Sequence, residues 1–241
     1  MPPRGRAPPP PDKLALLQRH PLFGVLGTDL LKRLSGSATM RRFKRGVAIF
    51  DKGDAGAALF AVHTGTVKIG VPSPDGREAL FNLIREGDIF GEIALLDGRP
   101  RTAGAVAMTD CELMVIERRD FIAFVHEYPE VALKLIEVLC ARLRLQSERL
   151  EEALFLNLPA RLAKTLLWLS DNAAPKLPGG KLAITQREIS QMVGMSREST
   201  NKQLRAWVKR GWLRLERGSI IVLKPEAVAA VAAAGAESEA D

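Results

Sequence analysis

Residues 185–211 read TQREISQMVGMSRESTNKQLRAWVKRG, and the stretch lays out two short helices joined at a glycine. Thr185, followed three residues later by Glu188, makes a capping box: the hydroxyl accepts an N–H inside the first turn while the carboxylate reaches back to the cap. Ile189, Met192 and Val193 give this helix an apolar stripe that Gly194 ends. Ser196 then caps a second helix, on which Thr200, Leu204, Trp207 and Val208 fall on one side at helical spacing. Arg197, Glu198, Asn201, Lys202 and Arg205 fall on the other. One face packs, and the other presents a bidentate donor in its first turn, which is the pattern of a DNA-reading helix-turn-helix. Thr185, Gln186, Ser196 and Ser199, at the two helix starts, complete the expected DNA-facing set.

Charge is distributed to match. From Leu156 to Lys224 the chain holds thirteen Lys and Arg against four Asp and Glu, a local net of +9, whereas the whole chain carries +7. The basic charge therefore sits in one region, and the remainder sums to about −2. A polyanion partner calls for such concentration, because affinity for a phosphate backbone comes largely from cations that displace its counterions.

At 241 residues and 46% hydrophobic content the chain suffices for two domains with cores of their own. No apolar run approaches the length of a membrane-spanning helix, and MPPRGRAPPPP at the N-terminus has positive charge without the apolar stretch of a signal peptide. Residues 1–12 are expected to form an extended, disordered Pro-rich arm. Cys111 and Cys140 lie far apart with no close-spaced pair, so metal-finger and iron-sulfur readings lack ligands, and buried free thiols in a reducing cytoplasm are expected.

Four regions follow the arm. LLQRHPLFGVL, within a helical stretch from Lys13 to Leu34, supplies an apolar cap. From about Ala38 to Glu117 short β-type segments such as ALFAVHTGTVKIGV and CELMVIE alternate with turn signals at Gly46, Gly53-Asp54, Gly65, Pro72 to Gly76, Gly87-Asp88 and Gly98. Regular turns between short strands predict a small barrel or roll, interrupted by one helical stretch, GEIALLDG. The roll domain is expected over 13–128.

Pro129 opens a long helix without a breaker until about Phe155. Ile136, Leu139, Leu143, Gln146, Leu150 and Ala153 alternate along it by three and four, the spacing of a coiled-coil seam, which points to a symmetric homodimer suited to two DNA half-sites. Leu133 and Leu135 are left to pack on the roll. Asn157 and Pro159 mark a new helix start, placing a winged helix-turn-helix domain over 156–224 with a two-stranded wing turning at Arg217-Gly218. The Ala-rich tail, 225–241, ends in acidic ESEAD and carries no functional motif. The fold class expected is α+β: an N-terminal β-roll of double-stranded β-helix or jelly-roll type, a long dimerisation helix and a C-terminal winged helix-turn-helix.

In that order of parts the chain resembles the cyclic-AMP receptor protein / fumarate-nitrate regulator family of bacterial transcription factors from about Leu14 to Val222. The most specific match is FGEIALLDGRPRTA (residues 90–103), similar to that family's phosphate-binding cassette. Its physical logic reads directly. Gly91 opens a short helix whose free N–H groups attract an anion, and Arg101 returns from the following strand to fork onto a phosphate. Glu92 is placed to accept a ribose hydroxyl, Thr102 to donate to the phosphate, and Ile93 and Ala94 complete the helix start. The resemblance implies a cyclic nucleotide held by Glu92 and Arg101 in a solvent-reachable pocket. Where it expects a threonine followed by a serine against adenine, this chain has Gln146 and Ser147; the amide of Gln146 suits adenine or guanine, or serves the seam register alone. Cyclic AMP is the effector expected, with cyclic GMP the alternative. Palindromic double-stranded DNA, a second copy of the chain and RNA polymerase are the partners implied, without a membrane.

Other sensing modes lack their residues. An iron-sulfur version needs a cysteine cluster, and a haem version an axial ligand; His63 reads as an ordinary barrel histidine, and His20 and His126 as surface or cap residues. No nucleophile-base grouping, metal-ligand set or dinucleotide glycine pattern argues for an enzyme. Two other readings stay open: a regulator of the same family that needs no effector, and a cyclic-nucleotide-binding subunit acting on a protein partner.

Overall fold

The computed structural model of the protein describes residues 13–19, 23, 24, 26–72, 78–172 and 181–237. The elements run α1 (Lys13–Arg19), α2 (Thr28–Ser37), β1 (Thr39–Phe43), β2 (Ala48–Phe50), β3 (Ala58–Thr64), β4 (Val67–Pro72), β5 (Glu78–Ile84), β6 (Ile89–Phe90), α3 (Glu92–Asp97), β7 (Gly104–Ala107), β8 (Cys111–Glu117) and α4 (Arg118–Glu127). There follow α5 (Glu130–Phe155), α6 (Leu158–Asn172), β9 (Lys181–Leu182), α7 (Gln186–Val193), α8 (Arg197–Lys209), β10 (Leu213–Glu216), β11 (Ser219–Val222) and α9 (Pro225–Glu237). The class is α+β: an antiparallel β-sheet domain, a long helix and a helix-turn-helix. The expected Pro-rich arm, His20 and the acidic end of the tail lie outside the described residues.

Two compact units result. One comprises Met1–Val67, Ile84–Thr102 and Val106–Val138, the other Lys68–Leu83, Ala103–Ala105 and Leu139–Asp241, so the division falls inside α5. The first is built on a sheet ordered β1-β8-β3-β6. Its interior strands read as they must when covered on both faces: Ala58 to Val62 are buried without a break, as are Leu113 to Ile116. Phe60 sits opposite Val115 on one side and Phe90 on the other. Beside this sheet β2 and β7 are joined by Gly46 N–H to the Ala107 carbonyl, 2.7 Å, and Ala107 N–H to the Val47 carbonyl, 3.0 Å. Leu17, Phe23 and Leu26 are buried with Leu31 and Leu34, the apolar cap expected of this stretch.

Among the described residues α3 is the one helix that interrupts the strands between Thr39 and Glu117, as expected, and a further helix follows them. Besides α3, the chain turns at Glu117 into α4, whose Phe121 and Phe124 are buried. Cys111 is buried as expected, but Cys140 is exposed on α5, so the expectation of two buried thiols holds for only one.

In the second unit α6 starts where Asn157 Oδ1 accepts the Ala160 N–H at 3.1 Å, an N-cap. It buries Ala160, Leu162, Ala163, Leu166 and Leu169. The Ala-rich segment is α9, packed on α6 through buried Val228 and Ala232. The wing is a three-stranded sheet, β10-β11-β9, rather than two-stranded: Lys181 and Leu182 pair with Ile221 and Ile220. The helix-turn-helix forms as its signals dictate. Thr185 Oγ1 accepts the Glu188 N–H while Glu188 Oε2 accepts the Thr185 N–H, and Gly194, at φ 71°, closes α7.

Candidate functional site

The polar face of α8 follows from its cap. Ser196 Oγ accepts the Ser199 N–H at 3.1 Å and donates to Ser199 Oγ at 2.9 Å, fixing the first turn so that Arg197 and Glu198 stand exposed at its start. Lys202 and Arg205 continue the exposed face, while Thr200, Leu204 and Trp207 are buried beneath. Val208, expected in the packed set, is exposed. Asn201 is half-buried, and its Oδ1 is buried without a hydrogen-bond partner. Thr185 spends its hydroxyl on the cap, accepting from Glu188 N–H and donating to Glu188 Oε2 at 2.7 Å; Gln186, half-buried, begins α7.

From Phe90 to Thr102 the cassette lies in the first unit. Gly91 caps α3 at φ 81°, an angle that favours glycine, and a Cβ there would stand 2.7 Å from Arg101 Nη1 and crowd the guanidinium. Arg101 Nη1 donates to the Gly91 carbonyl at 2.6 Å and Nη2 to the Ala58 carbonyl at 2.7 Å. Its backbone is pinned as well, Arg101 N–H donating to the Asp54 carbonyl and its own carbonyl accepting from Gly53 N–H. Burial pushes the guanidinium pKa down, with Glu92 and Asp54 pulling it back up. Glu92 and Arg101 are 4% and 5% exposed, which corrects the expectation of two solvent-reachable side chains. The cause is non-local: β3 and the turn before α3 supply carbonyls that draw the guanidinium inward. Arg101 Nε is buried with no hydrogen-bond partner. Of the other cassette residues, Ile93 and Thr102 are exposed and Ala94 is buried.

Gln146 and Ser147 are exposed on the α5 segment of the second unit, Ser147 Oγ donating to the Leu143 carbonyl at 3.0 Å. Gln146 lines a cavity of about 500 Å³ together with Phe81, Arg149, Arg161 and Trp168. Arg149 donates to the Phe81 carbonyl and lies 5.1 Å from the Trp168 ring centroid; burial lowers its pKa, partly offset by Glu152.

Along α5, Leu133, Ile136, Leu143, Leu150 and Leu154 are between 54% and 68% exposed. With exposed Cys140 and Ser147 between them they form one stripe stepping by three and four. Leu139, half-buried, and Gln146 and Ala153, both exposed, fall beside it. Leu133 belongs to the exposed stripe, while Leu135, with Val131, is buried; only one of the two leucines assigned to packing packs.

Nothing in the chain's local patterning marks Phe50, Arg149 or Trp168, which the fold brings beside these sites. His63 Nε2 lies 3.8 Å from Glu112 Oε2, and His126 is exposed. Among the described residues no group of His, Cys, Asp or Glu could hold a metal ion, and no helix is long and apolar enough to cross a membrane.

Comparison with known proteins places these features in context. A cyclic nucleotide-binding domain family matches residues 40–128, and a Crp-like helix-turn-helix domain family matches residues 160–231. The chain is 37% identical over 218 residues to the CRP-like cAMP-activated global transcriptional regulator of Mycobacterium tuberculosis, covering 89% of this chain and 97% of that protein. It is 32% identical over 206 residues to the cyclic AMP receptor protein of Thermus thermophilus, covering 86% and 94%. Among solved structures, a CRP-family transcriptional regulator from Thermus thermophilus superposes with a TM-score of 0.70 at 26% identity, covering 80% of this chain and 96% of that one.

Proposed function

The chain belongs to the CRP family of transcription regulators, and from that premise we propose that it works as a homodimer reading a palindromic DNA site under the control of a cyclic nucleotide, cyclic AMP before cyclic GMP. The observation that carries the effector reading is Arg101. A guanidinium 5% exposed, with Nε lacking any acceptor, is costly in a protein interior unless an anion joins it. A cyclic phosphate has the charge and the acceptor oxygens to meet that need, and Glu92 beside it has the chemistry to accept a ribose hydroxyl. For Gln146 and Ser147 the proposed role is contact with the base, on the resemblance alone. Control requires differential affinity: the nucleotide must favour the conformer whose two recognition helices fit successive major-groove half-sites, or it shifts nothing. RNA polymerase is the further partner this reading carries.

A second reading is favoured by one specific observation. Both Nη atoms of Arg101 are already satisfied by the Gly91 and Ala58 carbonyls, as a regulator that needs no effector would have them. Calorimetric titration of the dimer with cyclic AMP and cyclic GMP separates the two, saturation by either nucleotide supporting the first and its absence at millimolar ligand the second. A role on a protein partner alone fits poorly with the +9 balance from Leu156 to Lys224, since that charge should appear as salt-dependent binding to DNA.

For the reading face, Arg197 is assigned to a guanine O6/N7 pair, Glu198 to a cytosine N4 amine and Lys202 to a guanine or phosphate. Replacing Arg197 with alanine should cost about 1 to 3 kcal/mol per half-site and relax preference at one base pair. Selection from random DNA checks this; the same site recovered with both proteins would remove the assignment.

A further inference from the structure

Three phenylalanines from separate strands cluster together, and two of them, Phe50 and Phe60, face the Arg101 guanidinium. Phe60 of β3 and Phe90 of β6 stack with centroids 5.0 Å apart and planes 15° apart, and Phe50, at the end of β2, lies 5.6 Å from the first and 5.9 Å from the second. Phe60 and Phe90 are buried and serve the core, whereas Phe50 keeps part of its surface in solvent. Arg101 Cζ stands 4.2 Å from the Phe50 centroid and 5.8 Å from that of Phe60. The turn that follows Phe50 returns the grip: Gly53 N–H donates to the Arg101 carbonyl at 2.9 Å and Arg101 N–H to the Asp54 carbonyl at 2.8 Å.

We infer that Phe50 is a positioning residue for the effector's phosphate, acting through Arg101: its ring face holds the guanidinium in place and flat while the carbonyls of Gly91 and Ala58 take its two Nη atoms, leaving Nε–H for the phosphate. This rests on the effector reading above. The physical argument is a balance of costs. Burial disfavours the cation, and the two carbonyls supply only partial charge, so the negative face of the ring provides the remaining attraction without competing for the donors the phosphate needs. A carboxylate in that position would stabilise the arginine equally and repel the ligand. An aliphatic side chain would fill the space and leave the charge unsupported.

The test is a double-mutant cycle in the full-length protein, titrated with cyclic AMP. Phe50→Leu should weaken binding about tenfold, within the range of a desolvated cation–π contact, and Phe50→Tyr should restore it to within about twofold because the ring face survives. In an Arg101→Lys background the Phe50→Leu change should be nearly silent, since the planar cation it serves is gone. Pentafluorophenylalanine at position 50 keeps the shape while reversing the ring's charge distribution, so it should weaken binding as leucine does and keeps the test decisive if Phe50→Leu fails to fold. Equal losses from Phe50→Leu in both backgrounds, or tight binding with the fluorinated ring, would mean that Phe50 only fills space and would overturn the inference while leaving the effector reading intact. A wild type that never saturates would overturn the effector reading, and this inference with it.

Discussion

Replacing Leu143 with aspartate is expected to give a folded monomer that no longer retains DNA. Leu143 is 68% exposed in the single chain, so the substitution removes no core contact and should leave the fold of one protomer unchanged. Its effect falls on the dimer. In a parallel pair of α5 helices Leu143 meets its own copy, and so do Ile136 and Leu150, one heptad to either side. Each leucine buried there contributes about 1.5 to 3 kcal/mol of transfer free energy, whereas an aspartate in its place buries an unpaired charge at a cost of about 3 to 5 kcal/mol. Two such charges face one another across the axis. Half-sites that no longer share one protein lose the joint binding that gives a palindrome its affinity. Sedimentation equilibrium and a DNA-binding assay check both parts, and a variant that stayed dimeric would move the interface away from this stripe.

Arg101→Ala has the second large effect. Cyclic-nucleotide binding should fall below detection, because the cation and the donor at Nε disappear together. The burial of Arg101 adds a consequence that a surface arginine would not have. The carbonyls of Gly91 and Ala58 lose their donors, so stability should also drop by about 1 to 3 kcal/mol. Denaturant titration beside calorimetry separates the two losses. A variant that bound cyclic AMP as tightly as the wild type would exclude Arg101 from the effector site.

What could be read from the chain alone follows the range of the interactions involved. The helix-turn-helix was legible almost residue by residue because its determinants are local: cap, capping partner, terminating glycine and second cap fall within Thr185 to Ser196. The cassette segment was legible for the same reason, with Gly91 placed where a left-handed cap is needed. The depth of Arg101 was not, because it depends on the Ala58 carbonyl and the Phe50 ring, far away in sequence and adjacent only once β2 and β3 are in place. The apolar stripe of α5 was legible at Ile136, Leu143 and Leu150, all exposed in the single chain. Ile136, Leu143 and Leu150 belong to either of two three-four patterns, one continuing through Leu139 and Gln146 and the other through Cys140 and Ser147, and exposure separates them only where Leu139 is half-buried beside exposed Cys140. The helix α4 was overlooked because RRDFIAFVHE follows a strand directly, without the Ser, Thr, Asp or Asn that announces a helix start. The strand β9, two residues long, has no periodicity to read.

If a cyclic nucleotide controls DNA binding, each ligand must change the other's affinity, and thermodynamic linkage gives that coupling a direct measure. The affinity of the dimer for cyclic AMP should be determined by calorimetry in the absence of DNA and again on dimer saturated with its selected palindrome, at fixed salt. DNA is expected to tighten cyclic AMP binding by the same factor by which cyclic AMP tightens DNA binding, about 5- to 150-fold for a typical coupling. Equal affinity for cyclic AMP with and without DNA would contradict it.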